Sequence, residues 1–403
     1  MLQFEIKKVF TKFKNKMALL FLLVTLIAVS MLTINRVEYI DENGGRSVGI
    51  SAARSLRGEK NKWAGYLTKN ALQQAAEEHA AIINSEGASS NDTREQDLAY
   101  SRQQGISTIV EIINSAFSEW RDYNYYAIDG ISIEDASNIY ERRVSNLKKW
   151  LDSGEETFSK AQKDFLISQY ESLKTPFYYE YTDGWSALLQ NISTFILILA
   201  LFIGFFVSGI FSDEFQLRAD SIFFSSRLGR NRAILSKMGA GFSIVTAFYA
   251  VFILLHTAIV LLVLGADGAN CPIQLDLWRS VYNITFFQAY LLLITGGYVG
   301  TLFAAILSML VSAATRSTAT ATIVPFIILC AFPFLSRILT LPQICAFFPD
   351  QLLEIYISVK EFNLVQFGGK VMNVVTVITP AYLAACLLLL PVLYRIFKKA
   401  EVK

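Results

Sequence analysis

Residues Phe211–Lys237 read FSDEFQLRADSIFFSSRLGRNRAILSK, a charged island between two long apolar runs, Trp185–Ile210 and Met238–Leu264. The flanking runs carry no acid or base apart from His256. The island holds Arg218, Arg227, Arg230, Arg232 and Lys237, with Asp213, Glu214 and Asp220 at its start. Apolar runs this long are expected to span a membrane, and a Lys/Arg-rich connection between two of them belongs on the cytoplasmic side. Phe211, Phe215, Ile222, Phe223, Phe224 and Leu228 make the island partly apolar as well. Such a segment is expected to lie against the membrane surface and to turn its charges toward a soluble partner.

The composition agrees with this reading. Of 403 residues, 53% are hydrophobic and only 17% charged, and the mean hydropathy is +0.39. An ordinary soluble domain is about a quarter charged, so the chain is expected to be an all-α integral membrane protein. Two histidines and four cysteines leave little material for a catalytic or metal site. Cys271, Cys330, Cys345 and Cys386 form neither a CxxC pair nor a zinc pattern. Cys271 and Cys345 fall on the same outer side in the topology below; a disulfide between them is one reading, and free buried thiols are the other.

Outward from the island, the spacing predicts about six spans. Met1–Lys16 (MLQFEIKKVFTKFKNK) sets Leu2, Ile6, Val9, Phe10 and Phe13 on one helical face and five lysines on the rest, an amphipathic interfacial helix on the cytoplasmic side. Met17–Ile34 is the first span; a basic start before an apolar run also describes a signal peptide, but both parts are long for one, and an uncleaved anchor is expected. Residues 35–184 form a large, polar, helical domain on the extracytoplasmic side, with apolar stripes in Ile106–Tyr123, in Ala136–Leu151 behind a Ser132 cap, and in Phe158–Leu173. Trp63–Ile83 is a further helix candidate, and Asn84–Thr93 reads as a flexible connection. The domain could hold a substrate, gate an exit, bind a partner, or act only as a rigid cap.

The remaining 185–403 supplies spans 2–6: Trp185–Ile210, Met238–Leu264, Val281–Leu310, Ala319–Leu335 with Pro325 and Pro333, and Val371–Leu393 with Pro380. Leu352–Val359 is expected to lie at the interface or dip into it. Gly296, Gly300 and Ala304 repeat every four residues, a small-residue face that permits close helix packing. The predicted inner segments hold five bases in Met1–Lys16, five in the island, Arg316, and four at the C-terminal end. The short outer loops hold only Arg279, Arg337, Lys360 and Lys370, so both termini are expected in the cytoplasm.

What the chain lacks narrows its chemistry. The predicted spans contain no Asp, Glu, Lys or Arg, which argues against proton coupling through intramembrane carboxylates; sodium, which hydroxyls and carbonyls can hold, is less firmly excluded. There is no filter motif or charge ring for a channel, and no second histidine or aspartate pair for an intramembrane protease. His256 reads as a hydrogen-bonded packing residue. Ser208, Thr246, Asn283, Gln288, Thr295 and Thr301 could line a path, though each suits an interhelical hydrogen bond better. The sequence GxxxxGK followed by Ser or Thr is absent, so a nucleotide, if one drives the protein, sits on another chain.

This layout resembles the ATP-binding-cassette type 2 permeases. Glu214 soon after a span, followed by Arg227, Arg230, Arg232 and Lys237 entering the next, is similar to that family's acid, short coupling helix, arginine and lysine. The resemblance implies a permease subunit in a bacterial plasma membrane, an exporter of a peptide, drug or other amphipathic molecule. It would carry no catalytic residue or cofactor of its own; ATP and Mg would sit on a cytoplasmic ABC ATPase docked against Met1–Lys16 and 211–237. The other partners implied are the bilayer and a second permease copy, identical or not, with no nucleic acid. The long outer insertion departs from the simplest members. The rival expectation is a non-transporting sensor or scaffold that binds a ligand or partner through its extracytoplasmic domain.

Overall fold

A computed structural model describes residues 1–85, 92–225, 229–338 and 342–400. It is mostly helical, and five helical stretches are long and apolar enough to cross a membrane: Phe13–Ile34, Asp183–Gln216, Asn231–Leu264, Phe286–Thr315 and Val374–Lys398. The expected fifth span appears as a helix over Thr318–Ile338, but its apolar stretch, Thr318–Phe332, is shorter than these.

In chain order, α1 (Leu2–Thr11) and α2 (Phe13–Ile34) are separated by a single extended residue, Lys12. The amphipathic element therefore ends at Thr11, and Phe13–Lys16 already belong to the long apolar helix. A hairpin of β1 (Glu38–Ile40) and β2 (Arg46–Val48) leads into the polar domain. Its helices are α3 (Ile50–Lys60), α4 (Lys69–Ile83), α5 (Thr93–Gln103), α6 (Ser107–Phe117), α7 (Ile133–Ala136), α8 (Ile139–Ser153) and α9 (Lys160–Glu171). Strand β3 (Gly65–Tyr66), before α4, pairs with β4 (Tyr178–Tyr179), which follows α9 and returns the chain to the long helices.

The domain's helices follow the expected stripes but not their expected ends. Ile109, Ile112, Ile113 and Ala116 of α6, Leu147 and Leu151 of α8, Leu166 of α9 and Leu72 of α4 are all buried together. Each buried Leu or Ile among them contributes about 1.5–3 kcal/mol of burial free energy. Ser132 caps only the four-residue α7; the longer α8 starts afresh at Ile139. Helix α6 stops at Phe117 because the Asn114 amide turns the chain back, donating to the Tyr125 carbonyl and accepting the Ile128 amide. Most of the expected connection Asn84–Thr93 lies outside the described residues.

Helix α10 (Asp183–Val207) breaks at Ser208 and resumes as α11 (Gly209–Gln216), followed by α12 (Asp220–Ser225). One wide turn over Gly229–Ala233 feeds α13 (Ile234–Leu264), then come α14 (Phe286–Thr315), α15 (Thr318–Ile338) and α16 (Pro342–Cys345). The end of the chain holds α17 (Ile355–Lys360), a hairpin of β5 (Leu364–Phe367) and β6 (Lys370–Asn373), and α18 (Val374–Lys398). Helices α10 and α14 form the centre. Two thirds of the apolar stretch of α10 (67%) and 61% of that of α14 are buried, against 28% for α2, 33% for α13 and 22% for α18. The outer three keep apolar faces exposed, as lipid contact requires.

The small-residue face of α14 does not receive another long helix. A Cβ at Gly296 would clash with Ile355 Cδ1, and one at Gly300 would meet Leu353 Cδ2 at 2.8 Å and Leu352 Cβ at 3.1 Å. The segment around Pro349–Lys360 thus docks into the notch that Gly296, Gly300 and the buried Ala304 leave open. Gly297, one residue round the helix, faces the Tyr249 hydroxyl of α13 and Ile196 of α10 instead. Cys271 and Cys345 are both free thiols, so the disulfide reading is replaced by that of free, buried cysteines.

The polar domain is fastened to this bundle by polar contacts. Lys60 of α3 pairs with Asp183 at the start of α10 (2.7 Å), and Arg57 pairs with Asp267 (2.8 Å). The buried Arg143 of α8 lies 3.6 Å from the Tyr170 ring centroid and donates to the carbonyls of Trp278 (3.1 Å) and Ser280 (2.8 Å). Gly300→Leu should overpack the notch and destabilise the protein by about 1–3 kcal/mol. A lowered thermal midpoint in detergent, with Gly300→Ala intermediate, is the expected outcome; an unchanged midpoint for both would contradict this packing.

Candidate functional site

The charged island folds back on α1, and the centre of that contact is Lys237. Its side chain is fully buried near the start of α13, and the ammonium has three partners: Glu5 Oε2 of α1 (2.9 Å), Glu214 Oε1 of α11 (2.8 Å) and the Ile210 carbonyl (2.9 Å). All three of its protons are therefore engaged. Glu214 also accepts from Lys8 of α1 (2.5 Å), and Lys12 pairs with Asp213. Gly209 makes the second pair possible: a Cβ there would come within 3.0 Å of both Lys12 Nζ and Asp213 Oδ1. Burial lowers the Lys12 ammonium below its ordinary range, and the hydrogen bond and charge of Asp213 offset part of that.

A buried, partnered charge of this kind is costly to break, because removing one member strands the others away from water. Three lysines and three carboxylates from three separate stretches thus tie α1, α11 and the head of α13 into one body. An apolar contact reinforces it: Phe10 of α1 stacks on Phe248 of α13 (5.2 Å) and lies against Phe206 of α10 (5.9 Å).

The island's aromatic residues turn inward rather than lying flat. Phe211, Phe215, Phe223 and Phe224 surround Phe397 of α18, with ring centroids 4.8–5.8 Å away. Of the apolar residues expected to face outward, Ile222 remains 75% exposed, and Leu217 and Leu235 in the same stretch are exposed as well. Arg316 adopts a left-handed backbone (φ 59°) at the end of α14, and its guanidinium lies 4.5 Å from the Phe215 ring.

Of the residues singled out by sequence, Glu214 and Lys237 meet directly. Arg232, within the wide turn, is exposed and takes part in none of the ion pairs of the cluster. Arg230 lies in the backbone of that turn, and Arg227 falls outside the described residues. Sequence reasoning missed Glu5, Lys8, Lys12 and Asp213. Glu5 carried a signal, as the lone acid among the lysines of Met1–Lys16.

A second feature sits at the break between α10 and α11. The Ser312 hydroxyl of α14 accepts the Ser212 amide (3.0 Å) and donates to the Ser208 carbonyl. It stands between two groups that a continuous helix would join directly. Ser212 Oγ also meets Thr318 Oγ1 of α15 (2.8 Å), and the single Ser308 hydroxyl proton lies within reach of two carbonyls, those of Ala321 (2.8 Å) and Gly204 (3.0 Å). Five of the polar residues considered as a path are used for bonding: Thr246 meets Tyr298 (2.8 Å), Gln288 caps its own helix, Asn283 reaches Gln169 and Ser172, and the Ser208 and Thr301 hydroxyls donate to carbonyls of their own helices; Thr295 is exposed. His256 bonds Ser30 of α2 (2.9 Å) and lies 4.8 Å from the Phe195 ring, a packing role.

Lys237→Met should cost about 3–5 kcal/mol, and Glu214→Gln less, since Glu5 still compensates the ammonium. A double-mutant cycle read by thermal unfolding should give a loss well below the sum; additive losses would deny the pairing. Ser312→Ala should let Ser208 and Ser212 bond each other and slow amide exchange across 209–216 by about tenfold, whereas Ser312→Thr should behave as wild type. Faster exchange in the alanine variant would make Ser312 a staple and not a spacer. No protein family, curated protein or solved structure matches the chain.

Proposed function

We propose that this chain is the membrane permease subunit of an ABC transporter of the type 2 layout. It exports a peptide, drug or other amphipathic molecule and is driven by ATP hydrolysis on a separate ATPase chain. In this reading α15 also crosses the membrane, as the fifth of six spans, the domain at 35–184 is extracytoplasmic, and both termini are cytoplasmic in a bacterial plasma membrane. The working unit pairs two permease copies, identical or different, with two ATPases, and this chain contributes no nucleotide-binding motif or catalytic residue.

One observation carries the reading. The two segments expected to meet the ATPase, the N-terminal helix and the island, are joined through Glu5, Lys8, Glu214 and Lys237. A partner pressing on either would move both, and α13 with them. The exposed Arg232, in the turn that feeds α13, offers positive charge for acids on the partner. Topology alone accounts for bases in an inner loop. It does not require a buried lysine bound by acids from two other stretches.

A pull-down of the tagged protein in mild detergent, from a host that makes the native partners, tests the proposal. The wild type should recover an ABC ATPase, and Arg230→Glu with Arg232→Glu should lose it. Recovery by both would keep the permease and move the docking surface. No ATPase with either would end the permease reading and turn attention to the extracytoplasmic domain of a sensor or scaffold.

A further inference from the structure

Between the polar domain and the loops that follow α13 and α17 lies a cavity of about 760 Å3. Its size falls in the range of small-ligand sites, and a domain junction is where such sites concentrate. Three tryptophans line it. Trp120, just past α6, stacks on Trp150 of α8 with ring centroids 4.9 Å apart, and Trp278 comes from the loop between α13 and α14. Phe362, after α17, closes the wall against both Trp120 (5.7 Å) and Trp150 (5.8 Å). Aromatic walls of this kind accept apolar side chains.

The charges within it are specific. Arg121 is occupied by Glu155 and Glu156, and Lys360 and Glu361 are solvent-exposed neighbours at the edge. That leaves Asp276 and Arg279, three residues apart on one loop, both lining the cavity and neither within salt-bridge distance of a charged group among the described residues. The Asp276 carboxylate accepts the Tyr356 hydroxyl (3.1 Å) and is also hydrogen-bonded by Gln190 and Ser186, all neutral partners that leave its charge without a counter-ion. The Arg279 guanidinium lies 5.1 Å from the Trp120 ring centroid and donates to the Glu119 carbonyl (3.2 Å), leaving most of its N–H groups uncommitted. Burial pushes the Asp276 carboxyl above and the Arg279 guanidinium below their ordinary ranges, as expected of charges held without a counter-ion.

We infer that this cavity binds a short apolar peptide with free termini, its ammonium on Asp276, its carboxylate on Arg279 and its side chains against the tryptophans. A purely cationic or purely anionic amphipath would leave one of the two charges unanswered. A zwitterion answers both, and guanidinium–carboxylate and carboxylate–ammonium pairs are the strong hydrogen bonds available for it. As a transported substrate class this rests on the permease reading. As a binding site it does not, and the experiment therefore measures binding with no ATPase present.

The full-length protein in phosphatidylcholine nanodiscs is titrated with tri-leucine, which has no aromatic ring, and tryptophan fluorescence is followed. Tri-leucine with free termini should bind, and N-acetylation or C-amidation should each weaken binding by about tenfold, the worth of one charge-assisted hydrogen bond. Asp276→Asn should abolish sensitivity to acetylation only, and Arg279→Gln sensitivity to amidation only. Glu361→Gln, at the edge, should behave as wild type. Equal responses to all four peptide forms would show partition into the bilayer and overturn the inference, as would the absence of any response. The peptide series on the wild type decides the matter even if a variant fails to fold.

Discussion

An ammonium ion buried at the head of a long apolar helix cannot remain there alone. Lys237 is fully shielded from water, and transferring such a charge out of water costs several kcal/mol unless partners replace its hydration. The partners come from far apart in the chain: Glu5 near its beginning, Glu214 of α11, and the Ile210 carbonyl just past the Ser208 break. The need to satisfy one charge therefore fixes the positions of three elements. Lys8 and Lys12 then balance the carboxylates that Lys237 leaves in excess, and Phe10 fills the apolar space beside them.

The same division of labour recurs at the other end of the long helices. There the polar domain has its own aliphatic core, and its attachment is made by a few polar struts: Lys60 to Asp183, Arg57 to Asp267, and Arg143 to two carbonyls. Between the two ends, packing in α10 and α14 relies on small residues and hydroxyls. Gly296 and Gly300 admit a connecting segment, and Ser308 and Ser312 bond backbone groups of neighbouring helices. Force applied at the ion cluster has a continuous, closely packed route along α10 and α14 toward the domain.

The long helices were legible in the sequence because apolar runs leave little choice; their ends were not. Asp213, Glu214 and Lys237 read as the edges of a polar loop, since charge normally ends an apolar run. In three dimensions each charge is neutralised by a partner and the helices run on through them. Glu214 and Lys237 were legible as important by their type and position, whereas Lys8, Lys12 and Asp213 could be matched only once the chain folded. The hairpins went unseen because strands of two to four residues are too short to show alternation. Ser132 was read correctly as a cap, but a tertiary turn ended its helix after four residues. The glycine repeat announced a close approach without naming which element would make it.

The attachment through Arg143 differs in kind from the other struts. Its acceptors are peptide carbonyls and its cushion is the Tyr170 ring, none of which gains or loses a proton near neutral pH. A carboxylate partner would release its arginine on acidification and would attract competing cations from the medium. Here the bond is between a fixed charge and fixed dipoles, shielded from mobile ions by burial. The joint between α8 and the loop after α13 is accordingly a weatherproof one, holding its geometry across changes in acidity and salt.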